Sequence, residues 1–158
     1  MEIEMDKFEK KTLQDIKDTG CSIKHVLEES DLPPFSYTIG LNQSYGHPEI
    51  IVIGLKRDLA HWILNECNRL ISEGSKFACN KSYDGFLDNV SVKFNLVEKR
   101  FYEEYLGWGI WLNKGLDFKV LQLLYPTTLG MFPWESDTPE FFKTWQPILN
   151  QNIDRIPY

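Results

Sequence analysis

No two of the three cysteines, Cys21, Cys67 and Cys79, stand close enough to form a CxxC pair, so zinc-ribbon and thioredoxin-like readings fail at once. No apolar run approaches the length of a membrane span. Basic residues are also short: 17 Lys and Arg against 23 Asp and Glu give a formal net charge of −6. Binding a phosphate backbone needs the opposite sign, so nucleic acid is not an expected partner. There is no Walker loop, no GxGxxG and no GxSxG, which removes the motif basis for glycine-loop nucleotide binding and for a nucleophile elbow. The charged start, "MEIEMDKFEKK", has no apolar centre and does not read as a signal peptide. Odd, dispersed thiols and no targeting segment lead to the expectation of a cytoplasmic protein with reduced cysteines.

The 158 residues suffice for one domain with a single core, and 42% of them are hydrophobic. Residues 6–19 space Phe8, Leu13 and Ile16 as a helix would, and Gly20 follows as a stop. "CSIKHVL" (21–27) alternates in the manner of a half-buried strand, and Pro33-Pro34 ends the region. "FSYTIGL" (35–41) and "EIIVIGL" (49–55) predict two strands joined by a polar loop, the second apolar enough to be covered on both faces. Residues 56–74 give the clearest helix, with Leu59, Ile63, Cys67, Leu70 and Ile71 on one face and Gly74 at its end.

Further along, "FACNKSYDGFLDN" reads as irregular, and "VSVKFNLVEK" (90–99) as a strand with one exposed face. "RFYEEYLGWGIWLN" (100–113) suits either strand or helix and is assigned to helix. "DFKVLQLLYP" (117–126) predicts a central strand, followed by a turn-rich segment whose Phe132, Trp134 and Phe141 are expected to cover the core.

The blocks "PPFSYTIGL" (33–41) and "GHPEIIVIGL" (46–55), an amphipathic helix, then "VLQLLYP…GMFPWE" (120–135), resemble the bacterial family catalogued as domain of unknown function 4262. The resemblance covers about residues 20 to 136, leaving 137–158 as a C-terminal extension. Members commonly start the helix with a Pro-rich stretch, here "KRDLAHWILN", and carry an acid after the Pro of the late strand, where this chain has Thr127 and Thr128. The resemblance implies bacterial origin and a shared fold, and no established activity.

The candidate catalytic residues are His47, Glu49 and Glu135. A histidine titrates near neutral pH and can act as a general base, with a carboxylate to assist. His47 and Glu49 are two apart, however, and Pro48 stiffens the strand start, so a structural turn is the favoured reading of this loop. Tyr37 and Thr38 supply hydroxyls that face opposite ways, and whichever points inward needs a partner. Gln122 is a polar amide in an apolar strand and must either knit neighbouring segments or face a polar pocket. Trp134 offers an aromatic wall or a lid on the core. No metal site is expected: the histidines are scattered, and Cys21 and His25 sit about 13 Å apart at normal strand rise.

The expected fold is α+β: a single domain, residues 1–158, with a mixed, mostly antiparallel sheet of about five strands covered by two or three helices. The expected function is a non-enzymatic protein- or ligand-binding module. Its site would lie where the 42–48 loop, Gln122 and the 126–135 loop approach one another, with Tyr37, Thr38, His47 and Trp134 as ligand contacts. The acidic charge suits a basic protein partner of the kind an immunity protein neutralises, and a small-molecule ligand is the other option. The alternatives are a hydrolase using His47 as general base and a binder of flavin or another aromatic ligand. No cofactor is expected.

Overall fold

A computed structural model of the chain describes residues 5–79 and 81–150. Among the described residues six strands form one sheet: β1 (Ser22–Val26), β2 (Phe35–Ile39), β3 (Glu49–Ile53), β4 (Ser82–Leu87), β5 (Val90–Leu96) and β6 (Val120–Leu124). Their order is β1-β2-β3-β6-β5-β4. Only the central β3–β6 pair is parallel; the other four neighbours run antiparallel. The architecture is therefore α+β with a mixed, mostly antiparallel sheet.

β3 and β6 are buried at every position, including the polar Glu49 and Gln122, in keeping with their otherwise apolar sequences. Alternate residues serve two cores. Ile50, Val52, Leu121 and Leu123 pack beneath α3 (Arg57–Ser72, the third helix in the chain), which contributes Ala60, Ile63, Leu64, Cys67 and Ile71. Ile51, Ile53 and Val120 face the other way, against Tyr102, Leu106 and Phe118. Leu59, expected on the buried stripe of α3, is 39% exposed; Ala60 and Leu64 take the inward positions instead. Ile63, Cys67 and Ile71 are buried as the sequence reading expects and Leu70 is partly buried, so the inward face differs mainly at the first turn.

α1 (Lys7–Thr19) begins with a reciprocal capping box between Asp6 and Glu9 and ends at Gly20, whose φ is 98°. Of its predicted apolar face, Ile16 packs into the second core, whereas Phe8 is 67% exposed. Three elements have no counterpart in the sequence reading. α2 (Leu41–Tyr45) lies in the stretch read as a polar loop, β4 in the stretch read as irregular, and α6 (Glu140–Trp145) in the closing turns. The helix expected over 100–113 is broken at Leu106, giving a 3₁₀ turn (Lys99–Phe101), α4 (Tyr102–Tyr105) and α5 (Gly107–Asn113).

Phe141 does not cover the core. It is 74% exposed, and its neighbour Phe142 packs against Tyr125 instead, ring centroids 5.7 Å apart. The chain beyond the family-like blocks is built into the domain as far as residue 150. Gln146 and Leu149 are buried, and Gln146 holds Tyr125 by both backbone groups, donating to its carbonyl at 2.8 Å and accepting its N–H at 3.0 Å. The remainder of the expected C-terminal extension, 151–158, lies outside the described residues.

Candidate functional site

The parallel pairing of β3 with β6 decides what can meet. Glu49 pairs with Val120, and both strands run the same way. The 42–48 segment precedes β3, and the 126–135 segment follows β6. They therefore lie at opposite ends of the sheet, roughly 16 Å apart at normal strand rise over five residues. The expected convergence of these two loops with Gln122 does not form, and the sequence-derived candidates separate into four neighbourhoods.

In the first, Glu49 is almost fully buried at the turn from β2 into α2. Its Oε1 accepts from the Thr38 hydroxyl at 3.0 Å and the Leu41 N–H at 3.1 Å, while Oε2 accepts from the Gly40 and Asn42 N–H groups, each at 3.1 Å. Gly40, with φ 107°, supplies the left-handed turn that aims these amides inward, and a Cβ there would meet Ile16 at 2.9 Å. Burial pushes the Glu49 carboxyl up to about 7, against the pull of its four donors. Every partner is a donor from the chain itself, so this carboxylate organises the turn.

His47, close by, is equally committed. Its Nδ1–H donates to the Pro48 carbonyl at 2.7 Å, and its Nε2 accepts the Phe77 N–H at 3.1 Å. Because a carbonyl can only accept and an amide N–H only donate, the ring is held as the neutral Nδ1–H tautomer. Burial pushes its pKa down, in keeping with that state. A cavity of about 280 Å³ adjoins it between Tyr45, Pro48, Gly74 and Phe77. His47 meets this cavity with neither ring nitrogen free, and Glu49 is turned away to its own donors.

Tyr37 belongs to the opposite face of the sheet. Its hydroxyl accepts the Trp108 N–H at 3.1 Å, in the first turn of α5, and burial pushes its pKa up to about 12. Gln122 knits the closing segment to the sheet: Nε2 donates to the Pro147 carbonyl at 2.8 Å and Oε1 accepts the Leu149 N–H at 2.9 Å. Trp134 stacks on Phe132 with centroids 4.7 Å apart. Glu135 closes the same turn, accepting the Phe132 N–H at 2.5 Å.

A further group of polar side chains lies at the carboxyl end of β3. A cavity of about 580 Å³ is walled by β1, β2, the start of α3 and Trp145. Its polar lining includes His25, Glu28, Ser36, Lys56 and Arg57, with Leu55 and Trp145 among its apolar walls. Gly54, φ 92°, allows the walls to close: a Cβ there would meet Tyr125 Oη at 2.6 Å, and the Trp145 indole N–H donates to the Gly54 carbonyl at 3.0 Å. His25 and Ser36 are cross-strand partners. His25 Nδ1 lies 2.7 Å from Ser36 Oγ, and its Nε2 lies 3.0 Å from His61 Nδ1 on α3.

Sequence reasoning passed over this group because it treated His25 and His61 as scattered. A usable signal existed: an antiparallel hairpin of 21–27 with 35–41 can bring His25 opposite Ser36. Bringing His61 onto the same spot requires the packing angle of α3, which no local pattern encodes. Among the described residues, no three or more His, Cys, Asp or Glu side chains converge to hold a metal ion, and no helix is long and apolar enough to cross a membrane.

Neither a curated protein nor a solved structure matches this chain. A family model described as "Domain of unknown function (DUF4262)" does match, over residues 15–139, spanning β1 to the turn after Trp134 and including His25, Ser36, Glu49, His61 and Gln122. On that match the chain belongs to the DUF4262 family.

Proposed function

We propose that the domain binds a small anionic molecule with an apolar body, in the cavity at the carboxyl end of β3. The observation that carries this reading is the lining itself: the cationic Lys56 and Arg57 together with the apolar Leu55 and Trp145, around about 580 Å³. That volume falls in the range of ordinary ligand sites, which combine apolar walls with a few fixed polar groups. Glu28 is the one carboxylate in that lining, so the two cations leave it with an excess of positive charge in a chain whose net charge is −6. The proposal includes residence in a bacterial cytosol, which the three free thiols favour.

Thermal unfolding with a panel of small anions tests the reading, using phosphate, citrate, benzoate and indole-3-acetate at millimolar concentration. Ligands that bind only the folded state raise its stability by mass action. The aromatic carboxylates should raise the melting temperature most, and Arg57→Ala and Lys56→Ala should each reduce the shift. Equal or absent shifts across the panel would sink the proposal. A basic protein partner is the second reading, favoured by the net charge alone; a stoichiometric complex in native mass spectrometry would support it.

A further inference from the structure

Ser36 is 3% exposed and lines the cavity, yet its hydroxyl is bonded to an imidazole. Buried hydroxyls more often satisfy a backbone group. The imidazole it meets, His25, spends its second nitrogen on another imidazole, His61, which reaches solvent from α3. A chain of hydroxyl, ring and ring thus runs from the cavity wall to the surface. Its spacings of 2.7 and 3.0 Å are those of a nucleophile held by a base that is itself oriented by a third group.

We propose that Ser36, His25 and His61 form an acyl-transfer chain acting on small esters that carry an anionic group. In the first step Ser36 Oγ bonds to the ester carbonyl carbon, and the hydroxyl proton passes to His25 Nδ1. The carbonyl π electrons move onto oxygen. When they return, the bond to the alcohol oxygen breaks, and the departing alcohol takes the proton back from His25 Nδ1. Water then attacks the acyl-Ser36 ester, giving its proton to the same nitrogen. As the bond to Ser36 Oγ breaks, that proton returns to the serine and the carboxylic acid leaves. Water is the only co-reactant, and no electrons are gained or lost.

His61 is a positioning residue. Protonated on Nε2, it offers Nδ1 to the His25 Nε2–H, which leaves His25 Nδ1 facing Ser36 as an acceptor. The groups acting on His25 are consistent with a neutral base at pH 7. Burial lowers its pKa first, His61 and Arg57 push the same way, and Asp58 opposes them. Lys56 and Glu28 line the same cavity. A substrate anion beside Arg57 would offset part of the cationic push and make His25 a stronger base as it binds.

The substrate class rests on the anion-binding reading; the chain itself does not, and its test is independent of it. The full chain is treated with a fluorophosphonate and, separately, with p-nitrophenyl acetate, and the modified peptide is located by mass spectrometry. One adduct on Ser36 and a burst of p-nitrophenolate are expected, both lost in Ser36→Ala. His25→Gln should slow labelling by about 100-fold or more. His61→Ala should slow it less and move the pH dependence, and His61→Gln, which retains an acceptor on an exposed site, should restore part of the rate. No adduct on Ser36, or unchanged labelling rates in both His25→Gln and His61→Ala, would overturn the proposal. Benzoate should protect Ser36. Labelling that benzoate does not slow would discard the anionic substrate class and leave the acyl-transfer chain standing.

Discussion

Thr38 and Glu49 meet at 3.0 Å across the β2–β3 pair, and the threonine oxygen that donates to the carboxylate also accepts the Ile50 N–H at 3.0 Å. A single hydroxyl therefore ties the buried acid to the backbone of the next residue in the central strand. The amides of Gly40, Leu41 and Asn42 complete the cage, which turns the chain from β2 into α2.

Because all four partners of Glu49 are donors, an amide in its place must aim its own N–H groups at two of them. Glu49→Gln should destabilise the domain by about 2–3 kcal/mol, the cost of stranding buried donors. Urea unfolding at pH 7 measures it. A loss below about 0.5 kcal/mol would mean that the cage contributes little to the fold.

Gln122, two register positions further along the β3–β6 pair, presents a similar dependence. Gln122→Leu fits the apolar strand and removes both bonds to the 147–149 segment. The variant should stay folded, lose about 1–3 kcal/mol, and exchange backbone hydrogens faster at Leu149 than the wild type does. Unchanged exchange at Leu149 would show that its burial, with no help from the amide, holds the segment.

How much of this could be read from the chain depended on how local each cause is. β2, β3, β5 and β6 show in the sequence as apolar or alternating runs, and α3 shows as a 3–4 spacing, because burial imprints a period on the residues. β4 left no such mark: half of its residues are exposed, Phe86 alone is buried, and its register shifts between Tyr83 and Leu87 around Gly85, whose φ is 95°. α2 is five residues long, too short for a period, and owes its start to the Gly40 turn and the Glu49 cage. The polar character of Glu49 and Gln122 was visible at once; their partners were not, because those lie in segments that only the fold brings near. The Ser36–His25–His61 chain joins two strands and a helix, and its residue types are common enough that only assembled geometry distinguishes them.

Gly54 sits where β3 enters the cavity floor, with φ 92° and no room for a side chain. Gly54→Ala should cost about 1–3 kcal/mol for the left-handed backbone, and more for displacing the Tyr125 hydroxyl, which donates to the Ile53 carbonyl at 2.7 Å. Thermal unfolding gives the total. The variant should also lose any stabilisation by aromatic carboxylates, since Trp145 must shift with Gly54; a variant of wild-type stability would show that the floor relaxes without effort.

His25 links stability to pH with a definite sign. Its pKa falls from 6.5 to about 4 in the folded chain, chiefly through burial, with His61 and Arg57 adding to the shift. As pH drops through 6.5 the unfolded chain takes up a proton that the folded one refuses, so the contribution of His25 is present above 6.5 and is lost as pH falls toward about 4. Its partial exposure makes the loss a modest fraction of the full linkage value. Unfolding midpoints in urea at pH 7.5 and 4.5 should therefore fall further for wild type than for His25→Gln, which has nothing to titrate. His61→Gln removes a neighbouring imidazole, so the His25 ring proton resonances should titrate at a higher pH in that variant. If they titrate near 6.5 in the wild type, the ring is not held neutral between Ser36 and His61, and the hydrogen-bonded chain would have to be abandoned.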